Sequence, residues 1–167
     1  MTPGHSDADQ APVARPTLEI ERKYLLSALP SRVAGCAVLE VEQGYLPGVL
    51  IKERIRRTTQ GHSVRWYRTF KSGFGLVREE IEEETTARVF EAMWPLTEGR
   101  RIRKRRYLVP EDALVWEIDE FLDQDLVLAE VELPAATVIP PIPEWLRPVL
   151  VAEVTGDPSY NNSTLAR

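Results

Sequence analysis

Charged residues occupy alternate positions in one segment after another of this sequence, and most of the residues between them are apolar. The segment Leu18–Leu26 is the first of these. Side chains of a β-strand alternate between its two faces, so Glu19, Glu21 and Lys23 project to one side and Ile20 to the other. This two-residue period predicts a β-strand with one charged and one apolar face.

The same period recurs along the chain and predicts a mainly β fold. Turn residues such as Pro47-Gly48 and Thr59–His62 separate the segments. Thr86, or the residue before it, is expected to cap a short helix that ends before Pro95. Two further short helices are expected at 144–151 and 158–165. The predicted strands are 18–26, 38–46, 49–57, 63–71, 77–85, 101–109, 113–122 and 126–133.

Eight strands joined mostly by short turns favour a barrel, because closure removes the exposed edges of an antiparallel sheet. The predicted fold class is α+β, predominantly β: a closed eight-stranded antiparallel β-barrel with a few short helices packed outside it. A two-sheet sandwich is the alternative that the pattern leaves open.

Acidic pairs and basic pairs are segregated by strand. A solvent-exposed sheet face is the simplest explanation of one such pair. However, solvent-exposed faces usually mix charged residues with Ser, Thr, Asn and Gln. Segregated pairs favour a site that holds metal ions on one wall and a polyanion on the other, since hard divalent cations prefer carboxylates and arginine matches phosphate oxygens. The pairs are Arg54 and Arg56; Thr69 and Lys71; Arg78, Glu80 and Glu82; Lys104 and Arg106; Glu117 and Asp119; and Glu130 and Glu132.

Composition predicts one soluble domain. The chain has 167 residues, of which 43% are hydrophobic and 28% charged. Residues 1–16 are rich in Pro, Ala and Asp and are expected to form a flexible tail, which leaves 17–167 as the folded domain. With one cysteine, Cys36, no signal peptide and no apolar run long enough for a membrane span, a cytoplasmic protein without membrane contact is expected.

The overall charge argues against a nucleic-acid-binding function. The formal net charge is −5, although basic residues cluster between Arg100 and Arg106. Strand alternation would divide this cluster between two faces, whereas a binding patch needs its cations on one. No nucleic-acid partner is therefore expected.

The motif Glu19-Ile20-Glu21-Arg22-Lys23 resembles the ExExK signature of the CYTH domain, or triphosphate tunnel metalloenzyme, superfamily. That family folds into an eight-stranded antiparallel tunnel, and the short bacterial inorganic tripolyphosphatases are its most similar branch. Later elements also resemble the family in order: Gln43-Gly44-Tyr45-Leu46, Arg54-x-Arg56, Thr69-x-Lys71, Arg78-x-Glu80-x-Glu82, Lys104-x-Arg106-Tyr107, Glu117-x-Asp119, Glu130-x-Glu132 and Glu153-Val154-Thr155 with Tyr160.

The resemblance implies metal-dependent hydrolysis of inorganic triphosphate to pyrophosphate and phosphate. It implies Lys23 and Tyr45 as residues that act together near the reacting phosphorus. The implied phosphate-binding residues are Arg54, Arg56, Lys71, Arg78, Lys104 and Arg106. The implied ligands of Mg²⁺ or Mn²⁺ are Glu19, Glu21, Glu130 and Glu132, with Glu80, Glu82 and Asp119 as further contributors.

Three other functions remain compatible with a triphosphate-binding tunnel. They are an adenylate cyclase, a thiamine or nucleoside triphosphatase, and a non-catalytic protein that binds polyphosphate or nucleotide. In each case the partner is a small polyanion, and the protein is expected to be a monomer or homodimer.

Overall fold

The computed structural model describes residues 17–48, 52–72 and 77–167, and the side chains of 20–48, 53–70 and 80–167. The expected tail at 1–16, the start of the third predicted strand and residues 73–76, between the fourth and fifth predicted strands, lie outside the described residues. No helix in the described part is long and apolar enough to cross a membrane.

The described residues form one antiparallel sheet of nine strands with few helices, which confirms the predominantly β fold. The strand order is β5-β4-β3-β2-β6-β7-β8-β1-β9, and β1 also pairs with β5 through four residue pairs. The strands are β1 Thr17–Leu26, β2 Ala37–Tyr45, β3 Lys52–Gln60, β4 Ser63–Ser72, β5 Val77–Thr85, β6 Arg101–Glu111, β7 Leu114–Phe121, β8 Val127–Glu132 and β9 Leu150–Glu153.

In the part of the chain that the structure describes, two short α-helices accompany the sheet. Helix α1 spans Ala87–Met93, and the Thr86 side chain accepts a hydrogen bond from Val89 N, as expected of its N-cap. Helix α2 spans Asn162–Leu165. Four 3₁₀ turns lie at 31–33, 94–97, 147–149 and 158–160.

The expectation of eight strands was wrong by one, because Leu150–Glu153 forms β9 where a helix had been predicted. Only a 3₁₀ turn at 147–149 precedes it. Pro148 removes a backbone donor from any longer helix, and the β-branched Val149 and Val151 suit extended structure. The strand pairs with the C-terminal half of β1.

The hairpin turn between β3 and β4 is short. Gln60 pairs with Ser63, so Gly61 and His62 alone form the loop, and Gly61 has φ +58°. Strand β6 continues through Pro110 to Glu111, past residue 109 where the sixth predicted strand ends. It can do so because its pairing with β2 ends at Leu108, so no β2 partner needs an N–H there.

The apolar face of the sheet carries the main core. Tyr24, Trp116, Val131 and Leu146 belong to it, and Trp145 packs against the same cluster. The Trp116 and Trp145 rings meet edge to face, with 6.3 Å between centroids. This packing leaves the opposite face of the sheet to the charged residues.

Candidate functional site

The charged face is the side of the sheet opposite this core. Strand alternation places on it the side chains of Glu21, Lys23, Tyr45, Arg54, Arg56, Thr69, Glu80, Glu82, Lys104, Arg106, Glu117, Asp119, Glu130 and Glu132. Of the predicted site residues, Glu19, Lys71 and Arg78 have side chains outside the described set. Their backbones pair as Glu19 with Arg78 and Lys71 with Glu80.

Lys23 lies between carboxylates. Its register partner on β8 is Glu130, and Lys23 Nζ lies 2.7 Å from Glu130 Oε1. The same nitrogen is 3.7 Å from Glu21 Oε1 and donates to the Tyr160 carbonyl at 3.4 Å. The ammonium is buried in a position where carboxylates of two strands balance its charge.

Arg106 joins three acidic residues. Its guanidinium makes two hydrogen bonds of 2.7 Å to Asp119, lies 2.6 Å from Glu130 and also pairs with Glu117. Asp119 additionally contacts Lys104 Nζ at 2.5 Å. Asp119 has no exposed surface, so all of its charge is balanced by these two cations.

Arg54 and Arg56 make a second cluster with Glu82. Arg54 NH2 lies 2.9 Å from Glu82 and 3.4 Å from Glu80, and Arg56 NH2 lies 2.7 Å from Glu82. The fully buried Thr69 hydroxyl connects the cluster, accepting from Arg54 at 3.0 Å and donating to Glu82 at 2.8 Å.

Cations and carboxylates are therefore interleaved on the charged face, whereas the sequence predicted separate acidic and basic walls. The reason lies in the strand order. Only β4 lies between β3, which supplies Arg54, and β5, which supplies Glu82. Strand β6, with Arg106, is next to β7, with Asp119. Each basic strand is balanced by a nearby acidic one.

Burial and neighbouring charge shift the pKa values of carboxyl groups on this face in opposite directions. Burial raises the pKa of Glu130, but Lys23 and Lys104 outweigh it and hold the pKa well below its usual range. At Glu117 burial dominates and raises the pKa, although Arg106 opposes it. Glu130 is therefore firmly ionised, and Glu117 is the more readily protonated of the two.

The buried cations also differ. Burial, reinforced by Arg106, lowers the pKa of the Lys104 ammonium, although Asp119 opposes this. Burial and Arg54 lower the pKa of Arg56 to about 10, which still leaves it charged at neutral pH. At Arg106 burial acts to lower the pKa, but Asp119 and Glu117 raise it well above its usual value.

Tyr45 lies on the same face, at the end of β2. Its hydroxyl accepts a hydrogen bond from Gln43 Nε2 at 3.1 Å. Burial raises the pKa of the Tyr45 phenol, while Arg54 and Lys23 oppose the shift. Lys23 is thus close enough to act on Tyr45, although β6, β7 and β8 separate β2 from β1 in the sheet.

A cavity of about 410 Å³ opens beside Arg56, Arg106 and Glu82. Six strands line it, which requires the sheet to curve around it. Its remaining lining residues are Leu39, Val41, Thr58, Gln60, Ser63, Arg65, Tyr67, Leu108 and Glu117.

Among the predicted metal ligands, Glu21 and Glu132 lie directly opposite each other on β1 and β8. Glu21 is partly buried and Glu132 is exposed. Within the part of the chain that the structure describes, no three His, Cys, Asp or Glu residues form a group that could hold a metal by themselves. Glu80, Glu82 and Asp119 instead contact the cations described above.

Sequence reasoning did not select Gln43, Glu117 and Thr69 as site residues. Each has the strand parity of a predicted site residue, two positions from Tyr45, Asp119 and Lys71 respectively. The alternating pattern had already put Thr69 and Glu117 on the charged face without giving them a role, and Gln43 was named only within the motif Gln43-Gly44-Tyr45-Leu46. Their contacts depend on neighbouring strands, which the linear pattern does not specify.

No family model matches the chain. The chain is 36% identical over 156 residues to an inorganic triphosphatase of Nitrosomonas europaea, covering 89% of this chain and 96% of the relative. It is 32% identical over 152 residues to an inorganic triphosphatase of Acetivibrio thermocellus, covering 89% and 93%. A crystal structure of the inorganic triphosphatase NE1496 matches with a TM-score of 0.60 and 35% identity, covering 89% of this chain and 93% of that one.

Proposed function

The chain belongs to the family of bacterial inorganic triphosphatases, and from this premise we propose that it hydrolyses inorganic triphosphate to pyrophosphate and phosphate. The observation that carries the proposal is the convergence of Lys23, Arg54, Arg56, Lys104 and Arg106 on one face of the sheet. Five cations gathered in a largely buried site suit a short, highly charged chain of phosphates.

The cations would both bind the substrate and stabilise the transferring phosphoryl group. The planar guanidinium groups of Arg54, Arg56 and Arg106 match the oxygens of a phosphate, and Lys104 adds a point charge. Their present carboxylate partners hold them in place before the substrate arrives. Preorganised charge of this kind stabilises the charge that develops on the transferred group and the departing pyrophosphate.

The carboxylates of Glu21 and Glu132 suit Mg²⁺ or Mn²⁺. They face each other on neighbouring strands, with the backbone of Glu19 two positions earlier on β1. Mg²⁺ is typically held by one or two carboxylates together with substrate phosphates and water, so it does not require a cage of three protein ligands. When bound, the ion would neutralise phosphate oxygens and lower the pKa of a bound water.

Asp119, Glu80 and Glu82 fit a different role in this proposal. The Asp119 oxygens bond to Lys104 and Arg106, and Glu82 contacts both Arg54 and Arg56. We assign these carboxylates to holding the phosphate-binding cations. Glu130 is shared, since it contacts Lys23 and Arg106 and adjoins the Glu21–Glu132 pair.

Lys23 and Tyr45 would lie at the reacting phosphoryl group. Lys23 is between Glu130 and Glu21, and its charge influences Tyr45 from across the charged face. The ammonium can bind a phosphate oxygen while the phenol donates a hydrogen bond. A Lys23→Ala variant that folds but keeps full turnover would exclude this role.

We also propose that the sheet closes into an eight-stranded tunnel around this site. Pairing of β1 with β5 supports closure, as does the influence of Lys23 on Tyr45 from a distant strand. Closure predicts slow amide hydrogen exchange where residues 17–20 pair with 77–80. Exchange there as fast as in the exposed loops would argue for an open sheet.

One observation keeps an organic triphosphate as a second candidate substrate. The cavity of about 410 Å³ has Leu39, Val41, Leu108 and Tyr67 in its lining, which could pack against an organic group beside the phosphates. Assays can distinguish triphosphate hydrolysis from the three alternatives, which are an adenylate cyclase, a thiamine or nucleoside triphosphatase and a non-catalytic binding protein.

The test is phosphate release from triphosphate, ATP and thiamine triphosphate, each with Mg²⁺, with Mn²⁺ and with a chelator, together with cyclic AMP formation from ATP. We expect turnover of triphosphate that depends on metal and exceeds turnover of either organic substrate. Preference for an organic triphosphate would overturn the substrate, and tight binding without turnover under any metal would overturn hydrolysis.

A further inference from the structure

Gln43 is a buried amide on the charged face whose only described side-chain bond is to Tyr45. It is 1% exposed and lies on β2 between Arg56 of β3 and Ile102 of β6. Its Nε2 atom donates to the Tyr45 hydroxyl at 3.1 Å. A buried amide costs free energy unless it is hydrogen-bonded, so this contact fixes the orientation of both side chains.

The direction of that hydrogen bond matters for Tyr45. A phenolic hydroxyl has one proton to donate, and its oxygen accepts hydrogen bonds. Gln43 Nε2 donates to this oxygen at 3.1 Å. The positive charge of Arg54 also acts on the phenol. With its oxygen occupied as an acceptor, the hydroxyl must direct its own proton elsewhere.

The surroundings determine where that proton can go. The two cations that act on the phenol, Lys23 and Arg54, have no acceptor in their side chains. Glu130 also acts on the phenol, but its two carboxylate oxygens are paired with Lys23 and Arg106. A phosphate oxygen held by these cations would supply an acceptor. Burial keeps the pKa of Tyr45 raised, so the phenol retains its proton at neutral pH.

We propose that Gln43 is a positioning residue, which holds the Tyr45 hydroxyl as a hydrogen-bond donor toward the phosphoryl group that reacts. The inference rests on the proposed function and deepens it, because it explains how a neutral phenol is aimed within a cluster of ions. No proton transfer is required: Tyr45 donates a hydrogen bond that strengthens as charge develops on the phosphate oxygen.

The residue type is specific to this task. A glutamate of the same shape would only accept when ionised, so it would draw the phenolic proton toward β2 and away from the substrate. A methionine would fill similar volume but remove the donor that Gln43 presents to the hydroxyl. Both changes preserve bulk and remove the directional contact.

The experiment measures kcat and KM for triphosphate in Gln43→Met and Gln43→Glu, each made in wild-type and in Tyr45→Phe protein. In the wild-type background we expect Gln43→Met to lower kcat roughly tenfold, with KM changed less than about twofold. Gln43→Glu should lower kcat further. In the Tyr45→Phe background, Gln43→Met should change kcat by less than about twofold, because the group it positions is absent.

Glu42→Gln is the matched control. Glu42 is the adjacent residue of β2, faces the opposite side of the sheet and pairs with Arg57 there. Its kcat and KM should match wild type. Melting temperatures of all variants separate a folding defect from a change in turnover, and Gln43→Glu, which is nearly isosteric, serves where Gln43→Met does not fold.

Two results would overturn the inference while leaving the proposed function intact: wild-type kcat in Gln43→Met, or equal losses with and without the Tyr45 hydroxyl. Equal losses would mean that Gln43 acts through general packing. Absence of triphosphate turnover in the wild-type protein would instead overturn the proposed function, and the role of Gln43 with it.

Discussion

Asp119 and Asp123 lie four residues apart and both pair with basic side chains, yet their surroundings differ. Asp119 is completely buried and contacts Lys104 and Arg106. Asp123 retains 40% of its side-chain exposure and pairs with Arg103 at the surface. Removing one partner of a buried ion pair leaves an uncompensated charge, whereas an exposed pair is screened by water.

We therefore expect Asp119→Asn to destabilise the protein by roughly 3 kcal/mol, because it leaves Lys104 and Arg106 with excess buried charge. Urea unfolding at neutral pH measures the change, and Asp123→Asn is the matched control with little effect. Equal stability of the two variants would contradict this, because it would mean that water screens the ion pairs of Asp119 as effectively as those of Asp123.

Glu82 predicts a pH dependence of stability. Burial acts to raise its pKa, but Arg56 and Arg54 lower it below the ordinary value of 4.5. A carboxyl whose pKa is lower in the folded state stabilises the fold above its unfolded value and loses that contribution as pH falls through the folded value. Glu82 should therefore stabilise the protein at neutral pH and progressively less in acid.

The measurement is urea unfolding of wild type and Glu82→Gln at several pH values from about 7 down to about 3. The difference in unfolding free energy between them should shrink as pH falls below about 4.5. A difference that stays constant over this range would show that ionisation of Glu82 contributes nothing to stability.

At the scale of elements, close approach of backbones limits what the sequence can tolerate. Gly44 of β2 packs against the 3₁₀ turn at 94–97, and a Cβ built on Gly44 would lie 2.4 Å from Thr97 Oγ1. Thr97 is itself held, since its hydroxyl donates to the Trp94 carbonyl and accepts from Arg101. The turn cannot retreat without losing these bonds.

Gly44→Ala should therefore destabilise the protein by roughly 1 to 3 kcal/mol, the usual cost of overpacking a filled site. Thermal unfolding measures the effect. Ser63→Ala, which only shortens an exposed side chain at the start of β4, is the control. A melting temperature for Gly44→Ala equal to wild type would show that the turn can shift at no cost.

Residues 154–167, here called the C-terminal segment, cover one end of the charged face with apolar side chains. Ile102, Phe121 and Leu128 form a small buried cluster there, and Tyr160 and Leu165 pack against it. Arg167 exchanges two backbone hydrogen bonds with Arg101. The segment also contacts the site directly, because Tyr160 O accepts from Lys23.

Leu165→Ala should lower the unfolding free energy by roughly 1 to 2 kcal/mol through lost apolar contact. Leu122→Ala is the control, since Leu122 is 45% exposed. Urea unfolding measures both. If the two variants lose the same stability, the C-terminal segment does not cover this cluster in solution.

Strand parity explains how much of these elements could be predicted from the sequence. Alternation identified β1 to β8 within a few residues, and the Thr86 cap identified α1. β9 was missed because four residues are too few to show a period, and its pairing with β1 is a long-range contact. Short strands of this kind form through tertiary pairing rather than local preference.

At the scale of the whole molecule, the alternation in the sequence predicted that the charged side chains share one face. It did not predict which of them form ion pairs. Arg106 meets Glu130 across the intervening β7, and Lys23 acts on Tyr45 from a strand far away in the sheet order. Both interactions depend on curvature of the sheet. Curvature arises from the packing of all strands together, so no single segment of the sequence predicts it.

A molecule with a net charge of −5 that gathers cations on one curved face should respond selectively to a polyanion. A ligand that binds only the folded state stabilises it by about 2.7 kcal/mol at a hundredfold excess over its Kd. For a protein of this size, that predicts a rise in Tm of roughly 5 to 10 °C. We expect this rise with imidotriphosphate, an analogue that resists hydrolysis, in the presence of Mg²⁺.

Thermal unfolding with equal concentrations of imidotriphosphate, phosphate and sulfate measures the selectivity, and added salt should weaken the response by screening. Arg54→Met should reduce the rise, because it removes a cation that contacts both Glu80 and Glu82 on the charged face. Arg103→Met, which removes a cation paired with Asp123 at the surface, should retain it. Equal shifts with all three anions, or equal shifts in both variants, would mean that the response comes from general charge and that the interleaved cations form no specific triphosphate site.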